Sequence, residues 1–290
     1  MRNVREERID KTSGQIMVIV PHQDDEILMC AGILRSAVLA GLRPVVVMVT
    51  NGDCGSSDGE TGRARLRETL NSLALLGVGS GQVEFLGYAD TGMPREESFL
   101  YRLYRETDGE RVFASHCCAQ TYGLPEKQTF HRTTWGAEAA YTRKNLTGDL
   151  ESVIRAYRPD KIFTTHPADT HGDHEALFWF TADILRDMKA AGEAAPKLYG
   201  GLVHSPAGDD RWPARGTGGV YGCPEGLDRI SPWKWEERVR FAVPEEMRGP
   251  LDGNLKYRAV AAFPTALKPD AAEFLFSFVK DEELFWQIEI

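Results

Sequence analysis

Two short apolar runs rich in β-branched residues, QIMVIV at 15–20 and RPVVVMVT at 43–50, flank one segment of helix length. Neither run alternates polar with apolar, so each reads as a central strand buried on both faces. The segment between them, 26–40, is mostly apolar and stops at Gly41, as a helix closed by a glycine does. Strand, helix and strand together make a first βαβ unit. After the loop NGDCGSSDGETG, residues 62–76 place Leu66, Leu70, Leu73 and Ala74 on one helical face, with Arg63, Arg67 and Asn71 elsewhere. Gly77 ends that helix, and QVEFLG at 82–87 reads as a third strand. The alternation returns between 150 and 203: a helix ending before Pro159, a strand at 161–165, a helix over about 174–190 and a strand around 198–203. Such an order implies an α/β fold with a mostly parallel sheet covered on both faces.

Two stretches stand outside that rhythm. Residues 91–146 carry little periodicity but many polar and aromatic side chains, including His116, His131, Trp135 and Tyr141, and are expected as an insertion over the site. Trp135, Tyr141 and His131 would there stack on a sugar face or form a satellite core. Residues 205–232, rich in Gly and Pro, read as a second long loop, followed by an extended segment at 233–243. With no break in composition, residues 1–290 are expected to form a single domain carrying those two insertions.

Composition excludes several partners. A net charge of −9 without a basic stripe argues against nucleic acid, whose binding depends on neutralising phosphates. No apolar run is long enough to cross a bilayer. The charged start MRNVREERIDKTSG lacks the apolar segment of an export signal, and five cysteines, an odd number, do not make a disulfide framework. Both features point to a reducing, cytoplasmic setting. Self-association as a homo-oligomer is compatible with the chain.

The first strand runs directly into Pro21-His22-Gln23-Asp24-Asp25-Glu26 before apolar helix resumes. Charged groups against a core are costly without a partner, and ligands of open α/β sheets bind just beyond the carboxyl ends of strands. His22 and Asp25, three residues apart at a helix start, can converge on one centre, while Asp24 points elsewhere. A second cluster, THPADTHGDHEA, follows the strand at 161–165 and holds His166, Asp169, His171, Asp173 and His174. Either cluster alone has an ordinary explanation: acidic residues suit a helix N-terminus, and His166 before Pro167 suits a turn. Two clusters at neighbouring strand ends point instead to a metal. Three ligands from imidazole and carboxylate, with one position left for water, are what a catalytic zinc requires, and His22, Asp25 and His174 satisfy that count. Asp24 is then the candidate general base. Asp173 is placed to fix the tautomer of a neighbouring histidine, with His171 stabilising the oxyanion or protonating the leaving amine.

P-H-x-D-D-E after the first strand and H-x-D-H later in the chain resemble the PIG-L/LmbE-like family of zinc-dependent deacetylases. Thr50-Asn51-Gly52-Asp53, Arg65 with Glu68, Leu76-Gly77, Leu86-Gly87-Tyr88-Ala89-Asp90 and the ending Glu283-Leu284-Phe285-Trp286 are similar to that family's landmarks. The resemblance implies a Rossmann-like three-layer sandwich with an antiparallel C-terminal extension. It also implies Zn2+ held by His22, Asp25 and His174, with Asp24 as base in removing an acyl group from an amino-sugar conjugate. Arg65 and Asp90 become sugar-hydroxyl contacts on the same ground. Gln23 stands where proline is usual in the family.

Other readings remain at this point. Dinucleotide chemistry needs a glycine-rich first turn, which P-H-Q-D-D-E replaces. His116-Cys117-Cys118 lacks a second ligand pair at metal spacing. A non-catalytic carbohydrate-binding protein would share the fold, and an amidase acting on a larger N-acyl group of a glycosylated natural product would share the chemistry. Two histidines and one aspartate would also accept iron or cobalt by geometry.

Overall fold

A computed structural model describes residues 4–229 and 233–290. Residues 230–232, the end of the loop expected at 205–232, lie outside the described residues. In chain order the elements are β1 (Arg5–Glu7), β2 (Ile16–Val20), α1 (Asp25–Leu39), β3 (Val45–Thr50), α2 (Glu60–Leu75), β4 (Val83–Tyr88), α3 (Phe99–Arg105) and α4 (Phe130–Trp135). There follow α5 (Arg143–Tyr157), β5 (Lys161–Thr165), α6 (Gly172–Ala190), β6 (Lys197–Gly201), β7 (Val239–Ala242), α7 (Leu255–Val260), α8 (Ala272–Phe276) and β8 (Glu282–Ile288).

The eight described strands form one sheet in the order β1-β7-β8-β6-β5-β2-β3-β4. From β4 to β6 neighbouring strands are parallel. β8 runs antiparallel between β6 and β7, which supplies the C-terminal extension. Alternate side chains of the central strands enter two separate cores, as the two-residue period of a strand demands. Ile16, Val18 and Val20 of β2 join Val46 and Met48 of β3 in the core beneath α1, α7 and α8. Met17 and Ile19 join Val45, Val47 and Val49 in the other, beneath α5 and α6. The result is a three-layer α/β sandwich. No helix among the described residues is long and apolar enough to cross a membrane.

Two elements differ from the sequence expectation in instructive ways. β1, with the sequence REE, pairs in parallel with β7 at the sheet edge through its backbone, so its side chains carry no apolar signal. The extended segment expected at 233–243 shortens to β7, because residues 235–237 form a single turn of 3-10 helix before it.

The region 91–146 contributes to the interior. α3 buries Phe99, Leu100 and Leu103 in the core shared with α6, and Tyr141 is fully buried beside them. His131 pairs with Asp149 at 2.7 Å, and Trp135, half exposed, packs edge-on to Phe130. Tyr141 thus belongs to the core shared with α6, while His131 and Trp135 stand at its surface, and none of the three lines the cleft that holds His22.

α1 carries the first chemical cluster and is anchored by a buried ion pair. Glu283 on β8 accepts from Gly32 N (2.7 Å), Ile33 N (2.9 Å) and Lys256 Nζ (2.8 Å), and that ammonium also donates to Leu28 O (2.9 Å). A Cβ at Gly32 would come within 3.1 Å of the Glu283 carboxylate and 2.8 Å of Val243 Cγ1, so glycine is what lets β8 approach the helix. Buried charges of this kind persist only with every partner in place.

Candidate metal centre

The chain leaves β2 toward β3 and β4 on one side and returns to β5 and β6 on the other, so the order reverses between β2 and β5. The crevice at the carboxyl ends of those two strands is where an open α/β sheet binds ligands. His22 stands two residues past β2, and His171 to His174 open α6 just past β5.

Three donor atoms meet there. His22 Nδ1 lies 3.2 Å from His174 Nε2 and 3.4 Å from Asp25 Oδ2, and His174 Nε2 lies 3.2 Å from that same oxygen. All three residues are buried. Ligands at zinc distances of about 2.0–2.1 Å in tetrahedral array stand about 3.3 Å apart, so the spacing of this triangle suits a divalent cation. The electrostatics agree. Burial acts to lower His174, yet Asp169 and Asp25 outweigh it and lift it to about 10. Burial likewise opposes protonation of His22, but Asp90, Asp173 and Asp25 carry it well above its ordinary value. Buried carboxylates surrounding two imidazoles thus call for positive charge, which a cation satisfies as well as protons do.

Each of the three donor residues is held from behind. Asp173 Oδ2 sits 3.1 Å from His22 Nε2, and its other oxygen accepts from Leu100 N on α3 at 2.7 Å. Asp169 Oδ2 is 3.1 Å from His174 Nδ1, off the line of a good hydrogen bond, and accepts from Val203 N (2.9 Å) and His204 N (3.0 Å). Asp25 Oδ2 accepts from His22 N at 3.0 Å. Such carboxylate partners behind histidine ligands set ring orientation and basicity.

Asp24 occupies the N-cap position of α1 but makes no cap hydrogen bond with its side chain, and its φ of 98° is a left-handed conformation uncommon for aspartate. Its carboxylate therefore does not serve as a hydrogen-bonding cap of α1. Burial raises its carboxyl to about 6, with Arg65 opposing and Asp25 adding to the rise. Arg65 stands 3.6 Å from Asp24 and donates to Gln23 O (2.7 Å) and Gly52 O (3.2 Å). Gly52, at φ 59°, leaves space that a Cβ would deny to Gln23 and Arg65.

His171 is fixed as one tautomer. Its Nδ1 accepts from Asp173 N at 3.2 Å, so the ring proton belongs on Nε2. Burial and the neighbouring His22, His174 and His204 push its protonation far below the ordinary histidine range. It is a neutral donor. The histidine that the Asp173 carboxylate faces is His22, as its 3.1 Å contact with Nε2 places it. His166 does not join the group: its Nδ1 accepts from Ala168 N at 3.0 Å, and its ring packs on Trp286.

His22, Asp24, Asp25, Arg65, Asp90 and His171 all face one cleft of about 480 Å3, whose lining mixes apolar Leu28, Val203, Ala266, Phe274 and Leu275 with charged Asp209, Asp210, Arg215 and Asp270. A larger groove of about 870 Å3 beside β1 and α1 gathers no comparable set of donor atoms. Two participants escaped sequence reasoning. Asp169 was within the second cluster without a role, and His204 also lines the cleft. His204 lies just past β6, the same strand-end signal that singled out His22. Cys117 and Cys118 instead meet Asp53, Ser115 and Tyr141, away from the cleft.

Residues 17–185 match the family described as PIG-L, GlcNAc-PI de-N-acetylase. Among solved structures, the deacetylase of the antimicrobial A40926 pseudoaglycone shares 16% identity over 95% of this chain and 97% of its own, with a TM-score of 0.57. A triple mutant of a deacetylase in the teicoplanin biosynthetic pathway shares 13% over 94% and 97%, at 0.54. The N,N'-diacetylchitobiose deacetylase of Pyrococcus horikoshii shares 15% over 96% and 85%, at 0.51. At these identities the likeness is one of fold. No curated protein matches the chain.

Proposed function

The chain belongs to the PIG-L family of de-N-acetylases, and on that premise we propose that it is a zinc-dependent hydrolase removing the N-acetyl group from an N-acetylglucosamine-type sugar or its conjugate. The observation that carries this reading is the triangle of His22 Nδ1, Asp25 Oδ2 and His174 Nε2, with Asp24 beside it on the wall of the same cleft.

In this reading His22, Asp25 and His174 hold the ion. When bound, it supplies Lewis acidity that polarises the acyl carbonyl and acidifies water. Asp24 takes a proton from the attacking water and passes it to the departing nitrogen, so that amide and water become a carboxylic acid and an amine, which separate as carboxylate and ammonium. Arg65, 3.6 Å away, favours the ionised form in which Asp24 begins the cycle. His171 offers its Nε2 proton to the oxygen on which charge develops, the oxyanion role rather than that of an acid. Asp173 and Asp169 keep the two ligand imidazoles in register. Arg65 and Asp90, both on the cleft, bind the sugar.

The apolar residues among the lining, Leu28, Val203, Ala266, Phe274 and Leu275, support a second version of the same chemistry, in which the acyl group or the part of the conjugate next to the sugar is larger. The volume of about 480 Å3 lies within the range of about 300–1,000 Å3 typical of small-molecule sites. Metal analysis, followed by a screen of N-acylglucosamine derivatives for free-amine release with a chelator control, tests both. Chelator-sensitive release from N-acetyl substrates supports the first version, and preference for longer acyl groups supports the second. Protein that binds zinc and glycan yet frees no amine from any of them would instead be a carbohydrate-binding protein.

A further inference from the structure

His204 is held more completely than a loop residue needs to be. Its N donates to Asp169 Oδ2 at 3.0 Å, and its carbonyl accepts from Thr170 N (2.9 Å) and Thr170 Oγ1 (3.2 Å). Its Nδ1 stands 3.0 and 2.9 Å from the two carboxylate oxygens of Asp209. Phe274 stacks on the ring at a centroid distance of 5.4 Å and an interplanar angle of 21°. Nε2 has no hydrogen-bond partner among the described residues, and the side chain lines the cleft. The side chain is 15% exposed, so Nε2 is open to whatever occupies the cleft. Here half of the ring's polar capacity is left for something that enters the cleft.

The carboxylate of Asp209 can only accept, so it draws the ring proton to Nδ1 and leaves Nε2 with a bare lone pair. A donor that enters the cleft can meet that lone pair. The ring centroid lies 5.5 Å from that of His171 and 5.3 Å from that of His174, which places it beside the scissile group rather than at the outer rim. The donors an N-acyl amino sugar offers at that distance are its amide N–H and the hydroxyl on the adjoining ring carbon. The amide nitrogen is the atom that leaves, and its proton partner is already provided by Asp24. We infer that His204 Nε2 accepts a hydrogen bond from the hydroxyl vicinal to the N-acyl group, making His204 a specificity-determining residue fixed by Asp209 and Phe274. The inference rests on the hydrolase reading above.

The test is a cycle between protein and substrate: wild type, His204→Ala and His204→Gln, each assayed on an N-acetylglucosamine glycoside and on its 3-deoxy analogue. On the parent substrate His204→Ala is expected to raise KM about tenfold, the scale of one lost hydrogen bond, with a much smaller change in kcat. On the deoxy analogue the same substitution is expected to change nothing further. His204→Gln keeps an acceptor at similar reach and is expected to recover part of the loss. An unchanged KM, an equal penalty on both substrates, or a fall in bound metal that accounts for the loss would each overturn the assignment. Failure of the hydrolase reading looks different: wild-type protein would release amine from neither substrate, and the inference would fall with it.

Discussion

His22 turns Nε2 toward Asp173 Oδ2 at 3.1 Å and leaves Nδ1 facing Asp25 and His174. One side chain thereby joins the two clusters that lie some 150 residues apart in the chain, since the Asp173 contact spans 151 positions. Removing the charge behind a ligand imidazole typically weakens metal binding about 10–100-fold. Asp173→Asn is expected to behave so in zinc titrations of chelator-stripped protein. Asp169→Asn should do the same through His174, and wild-type affinity in both variants would show that neither carboxylate supports a ligand.

Asp24 stands outside the donor triangle and makes no cap hydrogen bond, so its loss is expected to separate chemistry from binding. Asp24→Asn is expected to retain stoichiometric zinc and lose about 10²–10⁴-fold in kcat, the usual range for a general base. Metal content by elemental analysis and amine release from the same preparation check this, and an active, zinc-replete Asn variant would move the base elsewhere.

The Lys256–Glu283 pair is fully buried, at 2.8 Å. Lys256→Met leaves the carboxylate without its cation and is expected to cost about 3–5 kcal/mol of stability, read by urea denaturation. Replacing Glu283 by Gln in the same chain should recover part of that loss, because the stranded charge is then gone. A single variant as stable as wild type would mean that water or a backbone shift relieves the charge.

Cys117 gives a prediction about pH. Burial, together with Cys118 and Asp53, pushes its thiol up to about 12, and only the thiolate attacks alkylating agents. Ionisation proceeds as pH rises, so at pH 8 the reactive fraction is on the order of one in ten thousand for such a thiol, against about a quarter for one near 8.5. Peptide mass mapping after iodoacetamide treatment should find Cys117 unmodified at pH 8 and increasingly modified toward pH 11. Rapid labelling at pH 8 would show that the loop opens.

The alternation of β-branched runs with helical segments already dictated the layered sheet, since residues of that kind bury on both faces only in a covered parallel arrangement. The catalytic suspects were legible too, because polar residues at strand ends have no packing reason to be there: His22, Asp24, Asp25, His171, Asp173 and His174 all carry that signal. What the chain does not write locally is which carboxylate stands behind which imidazole. Asp173 lies next to His174 in sequence and two residues from His171, yet it reaches across to His22 because successive residues on a helix point about 100° apart.

The edge strand β1 and the core role of α3 were hidden for a related reason. β1 is held by backbone pairing, which leaves no trace in side-chain pattern, and α3 is too short for a helical period to show. His204 and Asp169 acquire their places only when β5 and β6 lie side by side and bring two loops into one crevice. Composition and periodicity are properties of neighbours along the chain, whereas a triangle of donor atoms and its supports are properties of strand ends brought together by the sheet. The first kind of information settled the fold and the chemical vocabulary, and the second decided which atoms face one another.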